Sequence, residues 1–274
     1  MINLLAAILQ CGQELVILQF MATHLCIDCG NTRVKAAIVD GGHIVSRAAG
    51  TADDWQAVTA LATGWRVDAA LLVSTTDADA ALADAVAAVL PCELERLTAA
   101  RPLPLRVAYR TPHTLGPDRL ATAVGAWAEY PGCNLLVADA GTAITIDLLL
   151  ADGTLAGGSI SPGVAMRLRA MHEHTSRLPL VEAGGEVPLV GYDTTTALRC
   201  GAVLGAAAEI DAQTARLKST LGQLKLFVTG GDAQLLLPHL LTQGVTHDPD
   251  LLFKGANVIL ENREPHCEMV ACNS

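Results

Sequence analysis

Leu25-Cys26-Ile27-Asp28-Cys29-Gly30-Asn31-Thr32-Arg33-Val34-Lys35-Ala36-Ala37-Ile38-Val39-Asp40-Gly41-Gly42 runs together an apolar strand, a glycine turn, a second apolar strand and a hairpin signal. The same frame returns at Leu135-Leu136-Val137-Ala138-Asp139-Ala140-Gly141-Thr142-Ala143-Ile144-Thr145-Ile146-Asp147, with Asp152-Gly153 as its hairpin signal. From the first Asp to the hairpin Asp is 12 residues in one copy and 13 in the other. Single Asp-x-Gly pairs arise often by chance, but two in matching strand-turn-strand-turn frames read as an internal duplication.

Outward from each frame the texture is α/β. Ala69 to Thr75 reads as a strand and Asp77 to Leu90 as an Ala-rich helix. Arg119 to Glu129 is a second helix, closed by Tyr130-Pro131-Gly132. Thr194 to Lys218 reads as one long helix, with Gly201 and Gly205 as the places where it could break. Leu224 to Val228 is a short strand entering Thr229-Gly230-Gly231-Asp232, and Ala233 to Leu241 resumes as helix. A chain of 274 residues exceeds the usual single-domain size. The expected organisation is residues 1–20 as an N-terminal extension, 21–130 as a first domain and 131–274 as a second. Met21 precedes the first strong strand, so 1–20 is either sequence upstream of a misassigned start or a real helix.

Composition narrows the function. The chain is 51% hydrophobic and only 3% aromatic, as in sheets and helices packed through aliphatic side chains. A net charge of -10 argues against a broad nucleic-acid or anionic-membrane surface, which needs a basic patch. A nucleotide can still bind, through backbone N–H groups and a metal ion. No apolar run reaches the length of a membrane span, and Leu4 to Leu9 lacks the preceding Lys or Arg of a secretory signal. The eight cysteines are scattered; Cys26 and Cys29 read as reduced, buried thiols of a cytoplasmic protein rather than a redox pair, and Cys267 and Cys272 are given no role.

The chemistry sits in the turns. An Asp-x-Gly-Asn/Thr turn between two strands is what a phosphate clamp needs: glycine lets the backbone approach, and neighbouring N–H and hydroxyl groups donate to phosphate oxygens. Alone each is more readily an ordinary hairpin; as a pair they point to phosphate. In Gly116-Pro117-Asp118-Arg119 a carboxylate stands beside a guanidinium at the mouth of a helix, where the dipole and Arg119 are expected to keep Asp118 ionised and able to accept a proton. The competing reading is a helix N-cap. His172 and His174 bracket Glu173 with no third ligand in view and read as surface.

These residues resemble the superfamily of acetate and sugar kinases, heat-shock ATPases and actin. That resemblance implies two duplicated actin-like, ribonuclease H-like α/β domains closing over an ATP cleft, with Thr229-Gly230-Gly231-Asp232 near the adenosine. More narrowly, the order of motifs from Leu25 to about Leu260 is similar to that of the type III pantothenate kinases. Asp28, Cys29, Gly30, Asn31, Thr32, Arg33, Val34 and Lys35 match the first ATP-binding motif, and Asp139 to Asp147 the second phosphate motif. Tyr109-Arg-Thr-Pro112 with Gly116, Pro117, Asp118 and Arg119 matches the pantothenate-binding and catalytic segment. Gly157 to Gly163 and Gly191-Tyr-Asp-Thr194 complete the order.

The resemblance implies transfer of the ATP γ-phosphate to pantothenate. Asp118 is then the catalytic base, Tyr109, Gly116 to Arg119 and Thr194 hold pantothenate, Thr142 contacts ATP, and Asp28 organises the water of Mg²⁺. Asp139 is the cation ligand, for K⁺ or NH₄⁺. Lys35 either reaches phosphate or is a strand residue facing solvent. A homodimer is implied as well. Val73-Ser-Thr-Thr-Asp77 is more polar than the family's small-residue turn. Two other readings remain open: a regulatory or binding protein, and a kinase or phosphatase of the same superfamily acting on a sugar or acetate, which the Tyr109 to Arg119 segment distinguishes.

Overall fold

The computed structural model describes residues 22–51, 54–76 and 79–262, together with the backbone of Ile8–Leu9 (β1) and Val16–Ile17 (β2). The sequence readings for Cys267 and Cys272, for Asp77 and for most of 1–20 lie outside the described residues. β1 and β2 pair antiparallel, with Ile8 opposite Ile17, so these four positions are strand rather than helix.

The first frame forms β3 (Thr23–Cys29), β4 (Arg33–Asp40) and β5 (His43–Thr51) as an antiparallel meander. Gly41 and Gly42 make the tight turn to β5 at φ 56° and 78°, a region closed to most side chains. Helix α1 (Gln56–Thr63) leads to β6 (Ala69–Ser74), and α2 (Ala80–Ala87) to β7 (Leu94–Arg96); both strands run parallel to their neighbours. The sheet order is β5-β4-β3-β6-β7.

The chain then adds a short strand β8 (Arg106–Val107) and helix α3 (Pro117–Glu129) before the second frame. That frame forms β9 (Leu135–Ala140), β10 (Ala143–Leu149) and β11 (Thr154–Pro162). α4 (Val164–Glu173) and α5 (Thr194–Leu221) lead to β12 (Lys225–Thr229), α6 (Ala233–Leu236) to β13 (Thr246–His247), and α7 (Leu251–Glu261) closes the described chain. The second sheet is ordered β13-β12-β9-β10-β11-β8. Apart from β8 at its edge, its strands follow in the same sequence and with the same directions as those of the first.

One helix reading is settled and another needs correction. α5 is a single unbroken helix of 28 residues, passing through Gly201 and Gly205. The helix expected over Ala233 to Leu241 stops at Leu236 and tightens into a 3₁₀ turn over Leu237–His239, because Pro238 brings no N–H and its ring crowds the preceding turn.

The strand period sorts the side chains. Leu25, Ile27 and Cys29 of β3 face α1 and α2, whereas Cys26 faces the opposite side with Ala37, Val39, Leu71 and Val73. On that second side the core continues through Leu120, Val124, Phe253 and Ile259 of α3 and α7 to Leu135, Val137 and Phe227 of the second sheet. The two sheets therefore share a layer made of α3 and α7. Those helices touch backbone to backbone: a Cβ on Gly125 would lie inside the contact distance of the Leu251 carbonyl oxygen, and one on Gly255 inside that of Ala121. The outer face of the second sheet is covered separately by α4, α5 and α6. Among the described residues no helix is long and apolar enough to cross a membrane.

Candidate active site

Asp28 lies one residue before the end of β3, and Asp139 one residue before the end of β9, the central strand of its own sheet. Alternation places Asp28 with Cys26, and Asp139 with Leu135 and Val137, on the two faces that look toward the shared helix layer. Asp118 stands on the first turn of α3, near enough for its charge to act on both. The three half-buried carboxylates act on one another's charge: Asp28 is pushed up to about 6 by burial, against the pull of Lys35 and with a further push from Asp118. Asp139 is pushed up to about 7 by burial and then by Asp118, Asp28 and, least, Asp147, with Lys35 opposing. Lys35 stands directly opposite Asp28 in the β3–β4 register, on the inner face of the sheet.

Each glycine turn is tied by one bond, Gly30 N–H to the Arg33 carbonyl and Gly141 N–H to the Ala143 carbonyl, both 3.0 Å. Neither glycine has a positive φ, and a Cβ there would meet nothing closer than 3.4 Å at Gly30 and 3.6 Å at Gly141. The fold itself therefore does not demand glycine at these positions, which leaves the approach of something outside the chain as its use. Asn31, Thr32, Arg33 and Thr142 are exposed at the turns. The Cys29 and Val34 side chains are buried among α1 and α2, which leaves their backbone as the part of these two residues that faces the turn. The second turn is buttressed: Gly163 N–H donates to the Thr142 carbonyl at 3.1 Å, and α4 begins directly after it. Gly230, at φ 94°, packs so closely on Asp139 and the Ala140 carbonyl that a side chain is excluded, and Asp232 N–H donates to Ala140 at 2.8 Å.

Asp118 does not have the electrostatics expected from its neighbours. The N-cap of α3 is Gly116, not Asp118, whose carboxylate accepts the adjacent Arg119 N–H at 2.8 Å; burial outweighs this bond and the Arg119 charge and raises its pKa. The Arg119 guanidinium is turned away. It donates through Nε and Nη2 to the two oxygens of Asp147, at 2.9 and 2.5 Å, with both side chains almost wholly buried at 5% and 2% exposure. The ring of Tyr109 stacks over it at 5.6 Å, and rests on Gly157, whose φ of 117° leaves the ring its place. Tyr109 reaches this spot because β8, two residues earlier, pairs with β11. Asp147 lies opposite Gly158 in the β10–β11 register, where a Cβ would come within 2.7 Å of its carboxylate.

Tyr109, Gly116, Asp118 and Arg119 thus gather around one helix mouth, with Pro117 as the first residue of α3. Thr194 stands apart, exposed on the first turn of α5 beside the Asp193–Thr196 capping box, with no hydrogen bond to the rest of the site. Sequence reasoning placed Asp147 only as the end of the second phosphate motif and gave it no role of its own; with Thr145 and Leu149 as its same-face neighbours, nothing local marks it as the partner of Arg119.

By fold this is a mixed α/β protein of two sheets, and its carboxylates, open glycine turns and lysine meet where the inner faces end. The family model for type III pantothenate kinase matches residues 24–216. A protein named type III pantothenate kinase from Bacteroides fragilis is 38% identical over 237 residues, 86% of this chain and 97% of its own. One of the same name from Porphyromonas gingivalis is 38% identical over 248 residues, 88% and 99%. A solved Campylobacter jejuni protein, described as a Baf family transcriptional activator, superposes with a TM-score of 0.57 at 21% identity, over 86% of this chain and 97% of its own. The chain belongs to the type III pantothenate kinase family, and is an ATP-dependent kinase.

Proposed function

We propose that the two matching sheets are duplicated actin-like domains, in the halves 21–130 and 131–274, and that ATP lies where the Gly30 and Gly141 turns meet. The reaction is transfer of the γ-phosphate from ATP to pantothenate, giving 4′-phosphopantothenate and ADP, the first step toward coenzyme A. What supports this reading is the convergence of Asp118 with Asp28 and Asp139 at the mouth of α3.

The roles follow from position. The N–H and hydroxyl groups of Asn31, Thr32 and Thr142 donate to phosphate, and Lys35, opposite Asp28, supplies a counter-charge. Oxygen donors suit hard cations, and the mutual repulsion of Asp28 and Asp139 is relieved by bringing one in. Asp28 would hold Mg²⁺ through its water, and Asp139 would hold K⁺ or NH₄⁺; both neutralise charge that builds on the transferred group. Asp118 orients the pantothenate hydroxyl and takes its proton as the oxygen–phosphorus bond forms. Its raised pKa suits a base with real affinity for that proton. Tyr109 and Thr194 hold the rest of pantothenate. Arg119, already paired, holds Tyr109 and the helix mouth in place rather than offering a free cation.

A homodimer accounts for the apolar strip before α5, where Leu180, Leu189, Val190 and Tyr192 are 58–87% exposed. A cytoplasmic setting suits ATP and the free thiols of Cys26 and Cys29. The Campylobacter description points to a regulatory role, but Asp28, Asp118 and Asp139 are the groups a catalyst retains.

The test is ADP release by the full chain with ATP, Mg²⁺ and pantothenate, in K⁺ and in Na⁺ buffer, omitting each substrate in turn. Release should require pantothenate and rise with K⁺, and Asp118→Asn should lose about 10²- to 10⁴-fold in kcat with ATP affinity retained. Release independent of pantothenate, or an Asp118→Asn protein at near wild-type turnover, overturns the assignment.

A further inference from the structure

The outer face of the second sheet carries a cavity of about 400 Å³ beneath the C-terminal half of α5. Its apolar lining is Leu136, Ile146 and Leu148 from the sheet and Leu217 from the helix. The space has a cause in the sequence. Between Leu148 and Leu149 the β10–β11 register slips, and the opposing strand offers only Ala156, Gly157 and Gly158, so nothing fills the gap under α5. Gly158 is held small by the Ile146 carbonyl. One end is closed by Gln213 donating to Ser159 Oγ at 2.9 Å.

At the rim stands Arg216. Its backbone carbonyl accepts from Ser219 and Thr220, but among the described residues its guanidinium has no hydrogen bond or ion pair. Arg47, Arg96, Arg106, Arg119 and Arg167 each hold a carboxylate, whereas Arg216, like Arg33, Arg66, Arg110, Arg169 and Arg177, holds none among the described residues; what distinguishes Arg216 is its place at the rim of the cavity. A cation without a partner at the mouth of an apolar hollow, in a chain of net charge -10, is complementary to one kind of molecule.

We infer that this cavity binds a small amphiphilic anion, an alkyl carboxylate of medium length, with its tail against Leu136, Ile146, Leu148 and Leu217 and its head on Arg216. The site is separate from the carboxylate cluster: Leu136 lies three residues back along β9 from Asp139 and points to the other face. Its wall is nevertheless shared with it, since Gly157 lines the cavity and bears the Tyr109 ring.

The experiment is calorimetric titration of the full chain with hexanoate, octanoate and uncharged 1-octanol. Octanoate should saturate one site, and each added methylene should tighten binding about threefold to fourfold while the chain still fits. Arg216→Gln should weaken octanoate about tenfold and leave 1-octanol unchanged. Ala156→Phe, which fills the hollow, should remove both; Leu217→Phe does the same from the helix side should that variant fail to fold. Octanoate that does not saturate, that binds no better than hexanoate, or that is indifferent to Arg216→Gln and to the filling variants overturns the site, as does binding that disappears when raised protein concentration forms a dimer over it.

Discussion

Asp139 is the residue at which site and stability oppose each other. A carboxylate pushed up to about 7 retains its proton in the folded state where the unfolded chain, near 4, has released it. Between those values the folded state binds more protons, so this group's contribution to stability falls as pH rises from about 4 to 7 and is flat above. Asp28, at about 6, adds to the fall over the lower part of that window. Asp139→Asn should therefore raise the Tm of the ligand-free protein at pH 8, flatten its slope between pH 5 and 8, and abolish stimulation by K⁺. Differential scanning fluorimetry across that range decides it; a variant less stable than wild type at pH 8 would show that Asp139 is held by favourable contacts and not against repulsion. At Asp147 the sign is reversed. Asp147→Asn leaves the Arg119 guanidinium buried without its counter-charge, at a cost of about 3–5 kcal/mol. Chemical denaturation should show a loss of that order, and turnover should fall with it because Tyr109 and the mouth of α3 lose their support.

Elements were legible where local pattern and tertiary role agree. The two strand-turn-strand frames are written in apolar runs and Asp-Gly turns, and β3, β4, β9 and β10 form where the pattern puts them. Within the site, Asp28, Asp118 and Asp139 could be picked out because each stands beside a glycine turn or a helix mouth. Arg119's partner could not, because Asp147 lies 28 residues away on another element and only packing brings them together. β8 and β13, two residues each, carry no pattern of their own. The long helix α5 was legible, and it runs on through both glycines at which the sequence left a break open. Gly201 points to open space, so its effect is only conformational freedom, and Gly201→Ala should stabilise by about 0.5–1 kcal/mol. Gly255→Ala adds the same methyl where the Ala121 carbonyl already sits; separating α3 from α7 should cost about 1–3 kcal/mol and outweigh the gain in propensity. Opposite shifts in Tm for two identical substitutions check the helix crossing, and like shifts refute it.

At the scale of the molecule, the proposed halves are units of topology, and the packing makes the chain one unit of folding. β8, from the first half, completes the edge of the second sheet, and α7, from the second, covers Cys26, Ala37, Val39 and Leu71 of the first. The exchange is fastened by Arg47 to Asp250 at 2.6 Å and by the Arg101 guanidinium on the Ile259 carbonyl at 3.2 Å. A piece ending near residue 130 would keep α3 but strip α7 from the inner face of its sheet, leaving Cys26, Ala37, Val39 and Leu71 only partly covered. Calorimetry of the ligand-free chain should accordingly give one endotherm whose calorimetric and van't Hoff enthalpies agree, and an isolated 22–130 fragment should give none. Two resolved transitions, or a fragment that unfolds cooperatively alone, would mean that α7 rests on the first sheet without holding it. The same coupling bears on catalysis, because Asp28 and Asp139 belong to different sheets and are kept facing each other by the α3–α7 layer. A variant that loosens that layer, Gly255→Ala first among them, should lower kcat at temperatures where the protein is still fully folded.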